Sequence, residues 1–165
     1  MRDVVAPDLG VLFCGINPGL YTAAIGHHFG RPGNRFWKVL HLAGFTPREL
    51  TPFEELELLQ HGCGVTNIVN RATARADELA PEDLVRGAAR LRRTVRRWRP
   101  HTLAVLGMDA YRVAFAKRRV AVGRQDERIG ETTVWVLPNT SGLQASYQLA
   151  DLVRLFKELR AAARR

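Results

Sequence analysis

The chain has 165 residues, 46% hydrophobic and 25% charged, a composition typical of one globular domain that can bury its own core. We therefore treat residues 1–165 as a single domain, and we expect a monomer. No apolar stretch approaches the roughly 18 residues that cross a bilayer, and the N-terminus lacks the apolar segment of a signal peptide. We expect a cytoplasmic protein with no membrane partner.

The charge is strongly basic, because 25 lysines and arginines outnumber 16 acidic residues and give a formal net charge of +9. Such an excess favours an acidic partner, most commonly nucleic acid. A basic, well-solvated surface without a partner is the alternative.

Short apolar runs bounded by turn residues predict buried strands at residues 11–14, 63–69, 102–106 and 133–137. Helices are predicted over residues 52–59, from Pro81 to the stop at Pro100, and from about Tyr147 onward. Residues 123–131 predict a surface loop or short hairpin. Strands that alternate with helices predict an α/β fold, a three-layer α/β/α sandwich with a mostly parallel central sheet.

In such folds ligands bind at the carboxyl ends of the strands. The segments 15–35, 70–80 and 138–145 should therefore meet at one rim, where the function is expected. The rim carries its own cations, and these are candidates for contacts with an acidic partner: Arg31, Arg35, Arg71 and Arg75. Seven further arginines, with no acid among them, fall between Arg86 and Arg99. Their helix runs away from the rim, so we interpret them as cations that interact favourably with the negative, C-terminal end of the helix dipole.

The sequence predicts no metal site and no cofactor. Cys14 and Cys63 are too few for a disulfide framework or a four-cysteine cluster, and the five histidines are scattered. Cys14 lies inside an apolar strand, so it should be an unreactive core thiol.

The first strand breaks abruptly into Gly15-Ile16-Asn17-Pro18-Gly19. Glycines after a strand let backbone N–H groups approach a phosphate, but the segment matches neither G-x-G-x-x-G nor the Walker pattern. A nucleotide-dependent enzyme is thus one alternative. A bare turn is another.

Four motifs together carry a resemblance that covers about residues 4–159: GINPG, HHFGRPGNRFWKVLHLAGF, GCGVTNIVNRAT and VWVLPNTSGLQ. The chain resembles the mismatch-specific uracil-DNA glycosylases, the branch that also contains thymine-DNA glycosylase. This resemblance implies a monofunctional enzyme of base excision repair that flips a damaged pyrimidine out of double-stranded DNA and hydrolyses its glycosidic bond. A mispaired base costs least to extrude, which explains a preference for uracil opposite guanine. A DNA mismatch-binding module that kept the fold without the chemistry is the alternative.

The resemblance also implies roles for individual residues. Asn17 corresponds to the asparagine that holds the attacking water, and an amide can orient water but hardly deprotonate it. Phe29 matches the aromatic residue on which the base stacks, although core packing is its ordinary role. Gly19 stands where strict uracil-DNA glycosylases carry a tyrosine that rejects the methyl group of thymine. The remaining substrate-binding candidates are Ile16, Leu20 and Asn139.

Residues 139–144 match the loop that inserts into DNA. Leu143 is expected to fill the gap left by the flipped nucleotide, or else to act as a hydrophobic staple. Its neighbours Ser141, Gly142 and Gln144 are candidate DNA contacts, and Ser141 is equally a candidate helix N-cap. The chain departs from the family pattern at Thr140, Gln144 and Ala145. Ala145 stands where the family often has an arginine, so the contribution of that arginine to DNA binding is missing unless Gln144 replaces part of it.

The most informative departure is Asp77, where close relatives carry an uncharged residue, often asparagine. A carboxylate beside the anomeric carbon could deprotonate the water and stabilise the sugar cation. We hypothesise that Asp77 is the catalytic carboxylate. The alternative is a surface salt bridge with Arg75.

Overall fold

A computed structural model describes residues 1–143 and 146–163. Its centre is one five-stranded sheet with the order β2-β1-β3-β5-β4. The strands are β1 Val11–Gly15, β2 Cys63–Asn67, β3 Thr102–Leu106, β4 Gly123–Ile129 and β5 Thr132–Leu137. Strands β2, β1, β3 and β5 pair in parallel, whereas β4 pairs antiparallel with β5 at one edge. The predicted mostly parallel α/β sandwich is confirmed.

Among the residues described, five α-helices connect the strands or follow them. They are α1 Leu20–Ile25, α2 Phe36–Leu42, α3 Pro81–Trp98, α4 Met108–Ala114 and α5 Leu149–Ala163. Residues 52–59 were predicted as an ordinary helix, but Pro52–His61 is a 3₁₀ helix with non-helical backbone angles at Glu54. A second, shorter 3₁₀ turn is Ala76–Glu78. None of the helices described is long and apolar enough to cross a membrane.

The sheet is buried on both faces, which explains why its parallel strands are apolar runs. Successive side chains of β1 point to opposite faces, so Phe13 packs toward α2 and α5 whereas Leu12 packs toward α3 and α4. Phe13 contacts the rings of Phe36 and Phe156. Strand β4 is different, because its exposed and half-buried residues alternate. That pattern was predicted as a loop or short hairpin, and the structure has the hairpin, with Gly130 at its turn (φ 59°).

The loops after β1, β2 and β5 are joined to one another at the carboxyl ends of these strands. Gly19 forms an isolated parallel bridge with Thr73. The backbone N–H of Arg35 donates to the carbonyl oxygen of Thr140 at 3.1 Å. The three segments predicted to meet at one rim do meet there.

Candidate active site

A cavity of about 520 Å³ opens at this rim. Most of the predicted site residues line it: Ile16, Asn17, Gly19, Phe29, Arg31, Arg75, Asp77, Asn139, Ser141 and Leu143. Leu20, Gly142, Arg35 and Arg71 do not line the cavity, and Gln144 lies outside the described residues. A wider groove of about 760 Å³ between α2 and α5 is mainly aliphatic and holds none of the predicted residues.

Asn17 is held rigidly at the wall of the cavity. Its Nδ2 donates to the carbonyl oxygen of Arg71 at 2.9 Å and to Oγ1 of Thr73 at 2.8 Å. Oγ1 of Thr73 in turn donates to the carbonyl oxygen of Arg75 at 2.7 Å. A backbone carbonyl can only accept, so the amide orientation is fixed. Both protons of Nδ2 are used, and no described residue donates to Oδ1, which is left to accept a hydrogen bond from a ligand or water.

Phe29 packs in the core and also lines the cavity. Its ring stacks on the ring of Phe36 with centroids 4.0 Å apart and an interplanar angle of 24°. The same ring lines the cavity and approaches Gly15, where a Cβ atom would lie 3.3 Å from its Cζ. The backbone of Phe29 is left-handed, with φ of 51°, which is uncommon outside glycine and asparagine. The ring is therefore anchored in the core along one side and available to a planar ligand along another.

Two buried polar residues of the cavity, His28 and Asn67, were missed as site residues by the sequence analysis. Nε2 of His28 lies 2.7 Å from the carbonyl oxygen of Arg2, so this nitrogen carries a proton. In neutral His28 the bare Nδ1 then accepts from Nδ2 of Asn67, across a long 3.5 Å contact. This directs Oδ1 of Asn67 toward Gly15, where a Cβ atom would approach it to 2.7 Å. The available signal was Asn67 itself, a polar side chain at the end of an apolar strand.

The segment that carries His28 is anchored by Glu55, which is 7% exposed. One carboxylate oxygen of Glu55 contacts Nδ1 of His27, and the other accepts from the backbone N–H of His28 at 3.2 Å. Nε2 of His28 also lies 4.0 Å from this second oxygen, so Glu55 contacts both histidines. Only His28 reaches the cavity.

Asp77 lies in the short 3₁₀ turn at the mouth of the cavity. Its Oδ1 is 3.2 Å from Nε of Arg75, and the two side chains are 73% and 70% exposed. The salt bridge considered as the alternative is thus present, at a position that also borders the cavity. Ala80 lies in extended conformation immediately before α3, so Asp77 does not cap that helix.

The candidate insertion loop is a compact turn. Oδ1 of Asn139 accepts from the backbone N–H of Ser141 at 2.9 Å, and Oγ of Ser141 accepts from that of Leu143 at 3.2 Å. Helix α5 begins at Leu149, so Ser141 is not its N-cap. The side chain of Leu143 is 68% exposed at the cavity edge, which does not fit a buried hydrophobic staple. Gly142 has no room for a side chain, because a Cβ atom there would lie 2.7 Å from the carbonyl oxygen of Gly33.

The four rim arginines differ in what they contact. Arg35 donates to three backbone carbonyl oxygens, those of Thr140, Ser141 and Tyr147, at 3.3, 3.0 and 2.7 Å. It therefore holds the insertion loop, and its predicted DNA contact stays a prediction. Arg71 pairs with Asp83 at 3.0 Å. Within the described part of the chain, Arg31 forms no ion pair, and it is exposed at the cavity mouth.

The cysteine thiols are buried and unsuited to nucleophilic chemistry. Burial raises the pKa of Cys63 to about 12 and raises that of Cys14 further still. Across residues 1–143 and 146–163, no three His, Cys, Asp or Glu side chains converge as metal ligands do.

A parallel α/β/α domain with a cavity at the carboxyl ends of its strands is typical of proteins that bind a ligand at the sheet rim. Here a fixed amide, an aromatic ring and an exposed leucine border that cavity. The comparison with known families makes this specific. The sequence matches the model of the Uracil DNA glycosylase superfamily over residues 2–162, and the chain belongs to that superfamily. Membership supports a hydrolytic glycosylase that acts on uracil in DNA.

The solved structures agree on the fold. The chain is similar to a candidate uracil DNA glycosylase from Methanosarcina acetivorans, determined by solution NMR, with a TM-score of 0.63 and 17% identity. The match covers 97% of this chain and 96% of that one. The resemblance found in the sequence is confirmed for the superfamily, while the mismatch-specific branch stays a prediction.

Proposed function

We propose that the protein is a monofunctional DNA glycosylase that flips uracil, preferentially from G·U mismatches, into the 520 Å³ cavity and excises it by attack of water on the anomeric carbon. One observation supports this most strongly. The fixed amide of Asn17, the ring of Phe29 and the exposed side chain of Leu143 all border the same cavity.

The cavity offers complementary contacts to a uracil ring. Stacking on an aromatic side chain contributes about 1–3 kcal/mol per base, and Phe29 presents such a ring. Oδ1 of Asn67 is an acceptor placed inside the cavity, suited to the N3–H group of uracil. Cytosine has no proton on N3, so this acceptor disfavours it. The His28 contact that orients Asn67 is therefore part of base selection.

Hydrolysis needs a positioned water and a way to dispose of its proton. Oδ1 of Asn17 accepts one hydrogen bond from the water and aims its oxygen at the anomeric carbon. As the new C–O bond forms, the glycosidic C–N bond breaks and its electron pair leaves with the uracil anion. The water proton passes to the carboxylate of Asp77, which first has to loosen its pairing with Arg75. The same carboxylate stabilises positive charge that develops on the sugar.

The cavity is open where a uracil 5-substituent would lie if Gly19 takes the place of the excluding tyrosine. A Cβ atom built on Gly19 meets nothing within 4 Å, and this residue lines the cavity. Pyrimidines with a 5-substituent or an exocyclic adduct are therefore further candidate substrates. Leu143, at the edge, fills the space that the flipped nucleotide vacates.

The test is an alkali assay on a labelled duplex that contains one G·U pair, with matched G·C and A·U duplexes as controls. We expect strand scission only after alkali, because base removal leaves an alkali-labile abasic site, and we expect the G·U duplex to react fastest. Asn17→Ala protein, checked for folding, should bind this duplex without producing scission.

The pairing of Arg75 with Asp77 and the missing loop arginine favour a second candidate, a mismatch-binding module without activity. Tight G·U binding by the unmodified protein with no alkali-labile product would select it.

A further inference from the structure

Seven arginines lie from Arg86 to Arg99, with no acidic residue in that interval. Six of them are in helix α3, and the seventh, Arg99, is its C-cap. The structure gives several of them a partner. Arg86 pairs with Asp83 at 2.9 Å, and Arg92 lies 4.6 Å over the ring of Phe115. Arg90 turns inward and donates to the carbonyl oxygens of Asn67 and Ile68, at 3.0 and 2.8 Å. These three arginines are explained by the fold.

Three others, Arg93, Arg96 and Arg97, form what we call the α3 arginine cluster. All three are exposed, and none of them forms an ion pair or side-chain hydrogen bond with a described residue. The ring of Trp98 lies 5.0 Å from the guanidinium of Arg97, and this contact leaves its N–H groups free. Arg96 also lines a cavity of about 470 Å³ with the carboxylates of Asp8 and Glu131, beyond ion-pair distance in the described structure.

The helix dipole accounts for only part of this cluster. Its effect is confined to the last turn of a helix, which contains Arg96 and Arg97 but not Arg93. Arg93 is three residues before Arg96 and four before Arg97, and like charges at these spacings repel one another. The cluster therefore opposes helix stability in the free protein, and an anionic partner relieves that repulsion.

The cluster also lies far from the cavity. Helix α3 starts beside the rim at Pro81, so at a rise of 1.5 Å per residue Arg93 and Arg97 lie about 18 and 24 Å along its axis. A straight duplex lying across the cavity mouth does not extend down the side of the protein to this depth. Any anion bound here is a separate one from the strand that enters the cavity.

We propose that the α3 arginine cluster is a second DNA-binding surface, which takes the phosphate backbone of another duplex segment without reading its sequence. Guanidinium groups match phosphate oxygens with paired N–H donors, and backbone contacts of this kind carry no base specificity. Duplex DNA is the favoured anion because the superfamily acts on DNA, so a second segment is always near the first. The protein then bridges two segments and passes between them during its search for damage.

The experiment uses undamaged DNA, so it does not depend on excision. One duplex of about 40 base pairs is fixed to beads, and fluorescent copies are added with the full-length protein. We expect wild-type protein to retain the fluorescent duplex and Arg93→Gln/Arg96→Gln/Arg97→Gln protein to retain at least about fivefold less, since each lost phosphate contact lowers affinity. The matched control removes three exposed cations outside α3, by Arg128→Gln, Arg154→Gln and Lys157→Gln. It should retain the duplex as wild type does.

The proposal would be overturned if all proteins retained the fluorescent duplex equally, or if both triple variants lost it equally. It would also be overturned if added polyglutamate released the fluorescent duplex and added competing duplex did not. The last result would mark a surface for an acidic polypeptide.

Circular dichroism confirms that each variant is folded. Excision from a short G·U duplex should be unchanged in the α3 variant. If wild-type protein excises nothing yet still bridges duplexes, the proposed enzymatic function fails and this inference stands.

Discussion

The guanidinium of Arg35 donates from Nη1 to the carbonyl oxygen of Tyr147 at 2.7 Å, across 112 positions of the sequence. With its bonds to Thr140 and Ser141, it ties the residue before α2 to the first part of the insertion loop and also to Tyr147, which follows that loop. A residue that looks like a DNA contact in the sequence thus acts as a brace for the segment that carries Leu143.

Replacing Arg35 by lysine keeps the charge but removes the forked set of donors. We expect uracil excision from duplex DNA to fall about tenfold, because at least one charge-assisted hydrogen bond worth about 1.5 kcal/mol is lost. Excision from a single strand, where no gap has to be filled, should be unchanged. Single-turnover rates on both substrates make the comparison.

The salt dependence of DNA binding distinguishes support of the insertion loop by Arg35 from a direct phosphate contact. Arg31→Gln should flatten the log–log salt slope of binding by about 0.9, the value for one phosphate contact, whereas Arg35→Lys should leave it unchanged. Leu143→Ala and Arg35→Lys should not be additive in duplex excision, since both act through the same loop. Additive losses would contradict the conclusion that Arg35 acts through the insertion loop.

Asn17 should tolerate no substitution. Asn17→Ala is expected to lower excision by about 10²–10⁴, the range for a positioned catalytic group. Asn17→Asp should not rescue it, because a carboxylate has no proton to donate to the carbonyl oxygen of Arg71 or to Oγ1 of Thr73. Thr73→Val, which removes one of the two anchors, should reduce the rate less. Rates under saturating enzyme report these effects, and an active Asn17→Asp protein would refute the anchoring argument.

Asp77 can be separated from its ion pair by two substitutions. If Asp77 takes the water proton, Asp77→Asn should lower the single-turnover rate by about 10² or more, with DNA binding retained. Arg75→Gln should then leave the rate equal or faster, because it frees the carboxylate. Equal, small effects of both changes would make Asp77 a surface residue only.

Asn67 should decide which base enters. Asn67→Ala removes the hydrogen bond from its Oδ1 to the base, worth about 1 kcal/mol, so kcat/KM for uracil should fall about fivefold. His28→Gln offers a matched test of orientation, and we expect a smaller loss of the same kind. Competition between uracil and cytosine duplexes measures the selectivity. Unchanged selectivity in Asn67→Ala would remove Asn67 from the base-reading role.

Gly19 should control the width of the cavity. A side chain can begin there without a clash, because a Cβ atom on Gly19 meets nothing within 4 Å. Gly19→Tyr should keep uracil excision while abolishing excision of thymine or other 5-substituted pyrimidines opposite guanine. Parallel assays on G·U and G·T duplexes test this. Loss of both activities together would indicate that the side chain blocks the base itself.

Much of the secondary structure of this protein is determined by short segments of its sequence. Apolar runs predicted the four parallel strands, and Pro81 and Pro100 predicted the two ends of α3. The segments that follow three of these strands predicted the location of the rim. These features depend on neighbours along the chain. Strand β4 was harder to assign, because an edge strand with a polar, alternating face carries the same residues as a surface loop.

Tertiary structure decided the partners of the site residues. The contacts of Arg35 with the insertion loop, and the atom of Asn67 that faces Gly15, depend on segments that are distant in sequence and meet only at the folded rim. Residue type fixes how many hydrogen bonds a side chain can make. Only the packing of the loops against one another fixes which atoms make them.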